Sequence, residues 1–252
     1  MRTAPIVRHA RHVLLAFSLC LAASASFAQS SAPSAEYKPE VGRAGKDVVW
    51  VPTAQSLVDK MLDMARITEN DYVIDLGSGD GRTVITAAKR GARAHGIEYN
   101  PDLVELSKRN AEKDGVAGRA TFAKADIFES DFSQATVITL FLLPQLNLKL
   151  RPQILALKPE TRVVSNTFTM GEWQDDETFT LDARENCNAW CIAHFWVVPA
   201  RAAGTWRTTF GELTLTQQFQ MLSGSLRGPT GTTAVTGRLR GDQITLTAGK
   251  TT

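Results

Sequence analysis

Tyr72-Val73-Ile74-Asp75-Leu76-Gly77-Ser78-Gly79-Asp80-Gly81-Arg82 is the stretch that decides the fold. A short apolar run ends in an acid, a glycine-rich turn follows, and Val84, Ile85, Ala87 and Ala88 continue as a helix. Gly77 and Gly79 admit backbone angles that other residues avoid, and they let a ligand approach the main chain. The helix beyond Gly81 opens with unpaired N–H groups. In an open α/β sheet, the crevice beyond the C-terminal ends of the strands is where ligands bind. A dinucleotide fingerprint would need a third glycine where Arg82 stands, which weakens a nicotinamide reading. Ser78, set between adjacent glycines, does not make a G-x-S-x-G nucleophile elbow, and no Ser-His-acid triad is visible.

Working outward, Ala54, Leu57, Val58, Met61, Leu62 and Ala65 fall on one face of a helix, with Thr53 as its expected N-cap. A second strand spans Ala92 to Glu98. Asn100-Pro101-Asp102 then supplies a cap, a first-turn proline and an acid for a helix reaching about Asp114. A third strand ends at Ala125-Asp126, a fourth spans Thr136 to Leu143, and a fifth spans Thr161 to Ser165 after the turn Lys158-Pro159-Glu160. Strands alternating with helices predict a doubly wound, mostly parallel sheet of the α/β class. The last two strands, Glu177 to Arg184 and Trp190 to Val198, have no helix between them and are expected to form an antiparallel hairpin. Asp75, Glu98 and Asp126, at three successive strand ends, converge on one crevice, although each alone could be a solvated or helix-capping acid.

The chain has 252 residues, 43% apolar and 21% charged, which excludes bulk disorder, collagen and coiled coil. Its formal charge of +2 gives no argument for a nucleic-acid partner, and none is expected. The N-terminus changes these figures. Arg2, Arg8 and Arg11 without any acid, the apolar run Val13 to Ala23, and Ser26-Phe27-Ala28 read as a secretory signal peptide cut after Ala28. That run is shorter than the roughly 20 residues of a membrane-spanning helix, so no stable membrane anchor is expected after cleavage. An exported, periplasmic protein is the expectation. A mitochondrial transit peptide, also Arg-rich and acid-poor, is the rival.

Cleavage leaves 224 residues with 25 basic against 26 acidic side chains, and two cysteines, Cys187 and Cys191. An even count in an exported chain predicts a disulfide. In one extended strand the pair would lie roughly 13 Å apart, against roughly 4–7 Å for a bridge, so the turn of the hairpin should join them. Two free buried thiols are the alternative. A lone C-x3-C without a histidine cluster is a poor zinc site, and no metal is expected. His95 and His194 fall within strands and read as hydrogen-bonded residues rather than ligands.

From about Ala200 glycine recurs every few residues, while Leu213, Leu215 and Phe219 mostly alternate with Thr and Gln. This predicts a meander of about five short strands. Some fifty residues are marginal alone. The meander should therefore dock on the first domain or pair between chains, and a β half-barrel for partner binding is one hypothesis.

The turn matches D-x-G-x-G-x-G, the first motif of class I S-adenosylmethionine-dependent methyltransferases, whose sheet is Rossmann-like and seven-stranded. From Trp50 to about Trp173 the chain resembles a family of lysine methyltransferases that includes the mitochondrial enzymes acting on the adenine nucleotide translocase and on the c-ring protein of ATP synthase. The matching stretches are Trp50-Val51-Pro52, DLGSGDGR from Asp75 to Arg82, GIEYNP from Gly96 to Pro101, Phe141 to Pro144, LRP from Leu150 to Pro152 and TRVVSNTF from Thr161 to Phe168. The division implied is a signal peptide over 1–28, a linker and extended strap over 29–52, a methyltransferase domain over 53–199 and a β-meander over 200–252.

The resemblance implies S-adenosyl-L-methionine as cofactor. Its methionine end would meet Asp75, Gly77, Ser78 and Gly79 with Asp80 nearby, its ribose Glu98, and its adenine Tyr99 and Asp126. Methyl acceptors in such enzymes face the end of the fourth strand, here Phe141-Leu142-Leu143-Pro144. Amide and adenine methylators would carry an Asn/Asp-Pro-Pro-aromatic segment there, and this chain has no polar residue before Gln145. An apolar mouth suits a lysine amine, which must be neutral to attack and whose pKa falls on desolvation. Trp50, Phe141, Asn166, Phe168 and Trp173 are the candidates for the acceptor rim, with ordinary packing the alternative for each. No catalytic base stands out. A protein substrate is the implied partner. An exported, non-catalytic binding or assembly protein on the same scaffold is the competing reading, because the cofactor is made in the cytoplasm.

Overall fold

The computed structural model describes residues 37–182, Cys187 and residues 189–249. The proposed signal peptide lies outside these residues.

Seven strands form the main sheet: β1 (Tyr72–Leu76), β2 (Arg93–Glu98), β3 (Ala120–Lys124), β4 (Val137–Leu140), β5 (Arg162–Asn166), β6 (Glu177–Thr180) and β7 (Ile192–Val197). Their order is β3-β2-β1-β4-β5-β7-β6. β1 pairs in parallel with β2 and β4, and β5 continues the parallel run. β7 lies antiparallel between β5 and β6. The order reverses beside β1, so the turn after β1 opens at the switch point where α/β sheets bind ligands.

Four helices connect the strands: α1 (Gln55–Met64), α2 (Arg82–Lys89), α3 (Pro101–Lys113) and α4 (Pro144–Leu155). Alternate residues of the central strands feed two cores, because strand side chains change face at every residue. Val73, Ala94, Val137 and Val164 pack with Leu57, Leu62, Val84 and Val104 of α1 to α3. Ile74, Ile97, Ile138 and Val163 pack with Leu150 and Ile154 of α4 and with Trp173 and Trp196.

Several boundaries differ from the sequence reading. Thr53 does not cap α1. Ala54 holds the cap position without a side-chain bond, and the Thr53 hydroxyl instead accepts from Asn166 Nδ2 at 3.1 Å. The fourth strand stops at Leu140 rather than Leu143, because Leu143 becomes the extended N-cap residue of α4 with Pro144 at its first position. The segment before α1 is also not a simple extended strap. Gly42 N donates to Trp50 O and Trp50 N to Arg43 O, closing a small hairpin over the crevice. Asn100 caps α3 as expected, its side chain accepting from Asp102 N at 2.9 Å.

Cys187 and Cys191 form a disulfide with Cα atoms 5.8 Å apart. The sixth strand ends at Thr180 rather than Arg184: Leu181 and Asp182 lie beyond it, and Ala183 and Arg184 lie outside the described residues. The last strand begins at Ile192 rather than Trp190 and ends at Val197.

The C-terminal region is an antiparallel meander: β8 (Gly204–Thr208), β9 (Gly211–Gln218), β10 (Met221–Gly228), β11 (Gly231–Arg240) and β12 (Gln243–Gly249). Its own core is small, built on Leu213, Leu215, Leu222, Val235 and Leu239. It docks on the first domain. Phe219 stacks on Trp173 with ring centroids 6.4 Å apart, and the buried Gln220 donates to Gln174 O at 2.7 Å. Arg238 pairs with Asp176 at 2.5 Å and Arg240 with Glu177 at 2.6 Å.

Candidate active site

The turn from Asp75 to Gly81 is held by its own backbone. Gly77 N and Ser78 N both donate to Ile97 O, at 2.9 and 3.1 Å, and Gly81 N donates to Ser78 O at 2.9 Å. Gly79, at φ +55, has no room for a side chain, since a Cβ there would lie 2.9 Å from the Trp50 indole nitrogen. The neighbouring strand imposes a second limit. A Cβ on Gly96 would meet the Ser78 hydroxyl at 2.5 Å and Phe122 at 2.6 Å. Ser78 thus lines the cavity while its hydroxyl packs toward β2.

Glu98 ties two loops together. One carboxylate oxygen accepts from Gly79 N and the other from Asn100 N, both at 2.9 Å. Asp75 is buried and accepts from Thr139 Oγ1 at 2.7 Å. Burial pushes its carboxyl up to about 7, the Thr139 and Thr83 hydrogen bonds oppose the rise, and the nearby Glu98 and Asp80 charges add to it. Asp80 is engaged by Arg82, whose Nη2 lies 2.5 Å from Asp80 Oδ2 and whose Nη1 donates to Thr53 O at 2.7 Å.

One cavity gathers Asp75, Gly77, Ser78, Gly79, Asp80, Glu98, Tyr99 and Asp126. The hairpin before α1 forms its lid. Lys46 of that hairpin donates to Asp126 and stands 5.0 Å from the Tyr99 ring centroid. The hydrogen bond raises the Lys46 pKa and lowers that of Asp126. A lysine ammonium therefore lies at the two residues assigned to an adenine.

The acceptor-rim candidates separate. Trp50 lies on the cofactor turn, and Phe141 and Leu142 form a wall shared with an outer groove that also includes Phe168 and Trp190. Phe141 stacks on Phe168 at 6.2 Å. Two candidates line neither space. Asn166 is buried, donating to Thr53 Oγ1 and accepting from Thr167 Oγ1 at 2.8 Å, so it anchors the segment before α1. Trp173 is wholly buried between Trp196 and Phe219, where it joins the meander to the sheet.

Sequence reasoning did not single out Thr139, Lys46 or Trp190. Thr139 could have been found from strand register, since it stands opposite Asp75. Trp190 could have been found as the aromatic residue enclosed by the two cysteines. His95 bonds Thr121 Oγ1 at 2.8 Å, and burial lowers its pKa. His194 sits between Asp175 at 2.9 Å and Thr167 O at 3.2 Å. Among the described residues no three of His, Cys, Asp or Glu are grouped to hold a metal, and no helix is long and apolar enough to cross a membrane.

Comparison with known proteins agrees with this geometry. The ANTKMT methyltransferase domain profile matches residues 75–177. The protein-lysine N-methyltransferase of Saccharolobus islandicus is 44% identical over 138 residues, 54% of this chain and 86% of that protein. The adenine nucleotide translocase lysine N-methyltransferase of Mus musculus is 32% identical over 129 residues, 50% of this chain and 56% of its own length. A solved RNA methyltransferase from Salinibacter ruber, in complex with S-adenosyl-L-homocysteine, shares 45% identity and a TM-score of 0.56 over 60% of this chain and 96% of that one.

S-adenosylmethionine is the family's cofactor, and the residues present suit it. It carries a sulfonium and an ammonium, and the cavity offers the buried Asp75 with Glu98 and Asp80 nearby. A carboxyl held partly protonated by burial gains its charge when a cation arrives.

Proposed function

Because the chain belongs to the ANTKMT methyltransferase family, we propose that it is an S-adenosylmethionine-dependent enzyme that methylates the side-chain amine of a protein lysine. The observation that carries this reading is the wall at Phe141 and Leu142. It has a glycine-floored, acidic cavity on one side and an apolar aromatic groove on the other. The relatives named are enzymes, which leaves the non-catalytic alternative without support.

S-adenosylmethionine supplies a methyl on a positively charged sulfur, which an amine nitrogen takes by in-line attack while the sulfur keeps the bonding electrons. The chain's own task is to hold and align. Asp75 takes the cationic end, the Glu98 carboxylate the ribose hydroxyls, and the glycine turn brings main chain close to the ligand. The groove of Phe141, Phe168 and Leu143 excludes water from the entering amine. Only the neutral amine attacks, so a lysine that arrives as the ammonium first releases its proton to solvent, a release that desolvation at the groove favours.

The test is methyl transfer from S-adenosylmethionine onto protein, with the modified residue located by mass spectrometry. Label on a lysine supports the reading. The name of the Salinibacter ruber protein makes RNA the competing acceptor, so label on RNA and none on protein would overturn it.

The leader remains part of the proposal. We infer export with cleavage after Ala28, supported by the Cys187–Cys191 bridge, since disulfides persist in oxidising compartments. A periplasmic fraction whose protein begins at Gln29 is the expected result, and a mitochondrial or cytoplasmic chain would overturn it. Pairing of meanders between chains is tested by the solution mass of the purified protein.

A further inference from the structure

Trp190 has no place in the turn motif or in the packing of either sheet, yet the fold fixes it firmly. It precedes Cys191 inside the four-residue span of the disulfide and adopts a left-handed backbone, φ +61, which is unusual for a bulky side chain. Cys191 O accepts from Leu181 N at 2.8 Å, so the loop is tied to the sheet as well as to itself. The indole reaches Phe168 at 5.5 Å and Phe141 at 6.1 Å between centroids, while Phe141 and Phe168 stand 6.2 Å apart. Three aromatic rings from three separate elements thus pack against one another at the end of β4 and β5, and together they border the groove. Trp190 remains 46% exposed.

We propose that the Cys187–Cys191 bridge holds Trp190 as the outer wall of an aromatic cage, with Phe141 and Phe168, that receives the acceptor as an alkylammonium side chain. The proposal rests on the methyltransferase reading and adds to it a residue and a constraint. Aromatic faces attract ammonium groups through their quadrupoles. An alkylammonium keeps its charge through successive methylations while gaining apolar surface, so the cage suits the methylated amine better than the bare one. Asp47, on the opposing hairpin, lines the same groove, where it pairs with Lys46 at 3.6 Å. Phe141 connects the cage to the cofactor cavity, which sets the bound nitrogen beside the donor site. The bridge closes the chain immediately around Trp190, two residues before β7.

The test uses the full chain with S-adenosylhomocysteine bound, titrated with Nα-acetyl-Nε-trimethyllysine amide and, separately, with the uncharged norleucine amide, while the tryptophan indole N–H resonances are followed by NMR. The Trp190 resonance is identified by its loss in Trp190→Phe. Trimethyllysine should move it and norleucine should not. Trp190→Ala should weaken trimethyllysine binding about three- to thirtyfold, as expected for a cation on an aromatic face, while Trp190→Phe keeps most of the affinity. Reduction of the disulfide, or Cys187→Ala with Cys191→Ala, should weaken it in the same direction with S-adenosylhomocysteine affinity unchanged. An unmoved Trp190 resonance, or equal trimethyllysine affinity in wild type and Trp190→Ala, would overturn the cage and leave the methyltransferase reading standing. Failure of S-adenosylhomocysteine itself to bind would overturn both.

Discussion

The two halves of the crevice are built in opposite ways. The cofactor half is made of consecutive residues: one seven-residue turn, bound to the next strand by main-chain hydrogen bonds and by Glu98, with side chains excluded at Gly79 and Gly96. The proposed acceptor half draws Phe141, Phe168 and Trp190 from distant parts of the chain, and ring contacts and a disulfide loop bring them together. On the proposed function, one half recognises an invariant small molecule through backbone geometry and the other meets a macromolecule through side chains. If the proposed function holds, this division predicts that binding of the methyl donor and choice of its acceptor can change independently.

The strongest way to break this division is Gly96→Val. Its branched side chain would enter space held by Ser78 and Phe122, with an expected loss of about 2–3 kcal/mol of stability, measured by denaturant unfolding. Unchanged stability would show that the turn is not packed against β2 as described. Next is Glu98→Gln, which removes the charge that accepts from Gly79 N and Asn100 N. Calorimetry should show donor affinity falling about ten- to fiftyfold, with the KM for the acceptor unchanged. A matching change in that KM would mean that the halves are coupled.

A pH series probes the cofactor half alone. Burial raises the Asp75 carboxyl to about 7, while in the unfolded chain an aspartate titrates near about 3.9. The native state therefore keeps a proton that the unfolded state has released. The stability this group contributes is full below about pH 4 and is lost as pH rises through about 7. A cationic ligand favours the ionised form, so donor affinity should fall up to about tenfold per pH unit below 7, and Asp75→Asn should flatten that slope. The smallest effect belongs to Lys46→Ala. Removing the ammonium that stands at Asp126 and Tyr99 should tighten donor binding by no more than about fivefold, because the pair is exposed to solvent. A weaker complex would show that Lys46 contributes to holding the donor.

How much of this was legible in the sequence follows the same division. The alternation of strands and helices, the capping of α3 by Asn100 and the terminal hairpin are local patterns, and they could be read. Thr53 misled because its hydroxyl bonds Asn166, more than a hundred residues away, a partner that no local rule supplies. The extra length given to the fourth strand came from an apolar run, Phe141 to Leu143, whose side chains serve the crevice and the start of α4 instead of the sheet. Trp173 looked like a rim residue because an aromatic near a strand end suits either a site or a core. The meander, which covers it, could not be placed from its own alternation. Trp190 was legible only as an aromatic residue between the two cysteines; its place beside Phe168 follows from the bridge and from the loop after β5.

Phe219 closing over Trp173 determines what loss of the C-terminal meander would expose. A protease that trims the chain before Ala200 removes no residue of the cofactor cavity. It does uncover Trp173 and strip Arg238 from Asp176, whose side chain is 3% exposed in the intact fold. The remnant presents a wetted aromatic plane beside an unpaired carboxylate, a surface prone to self-association.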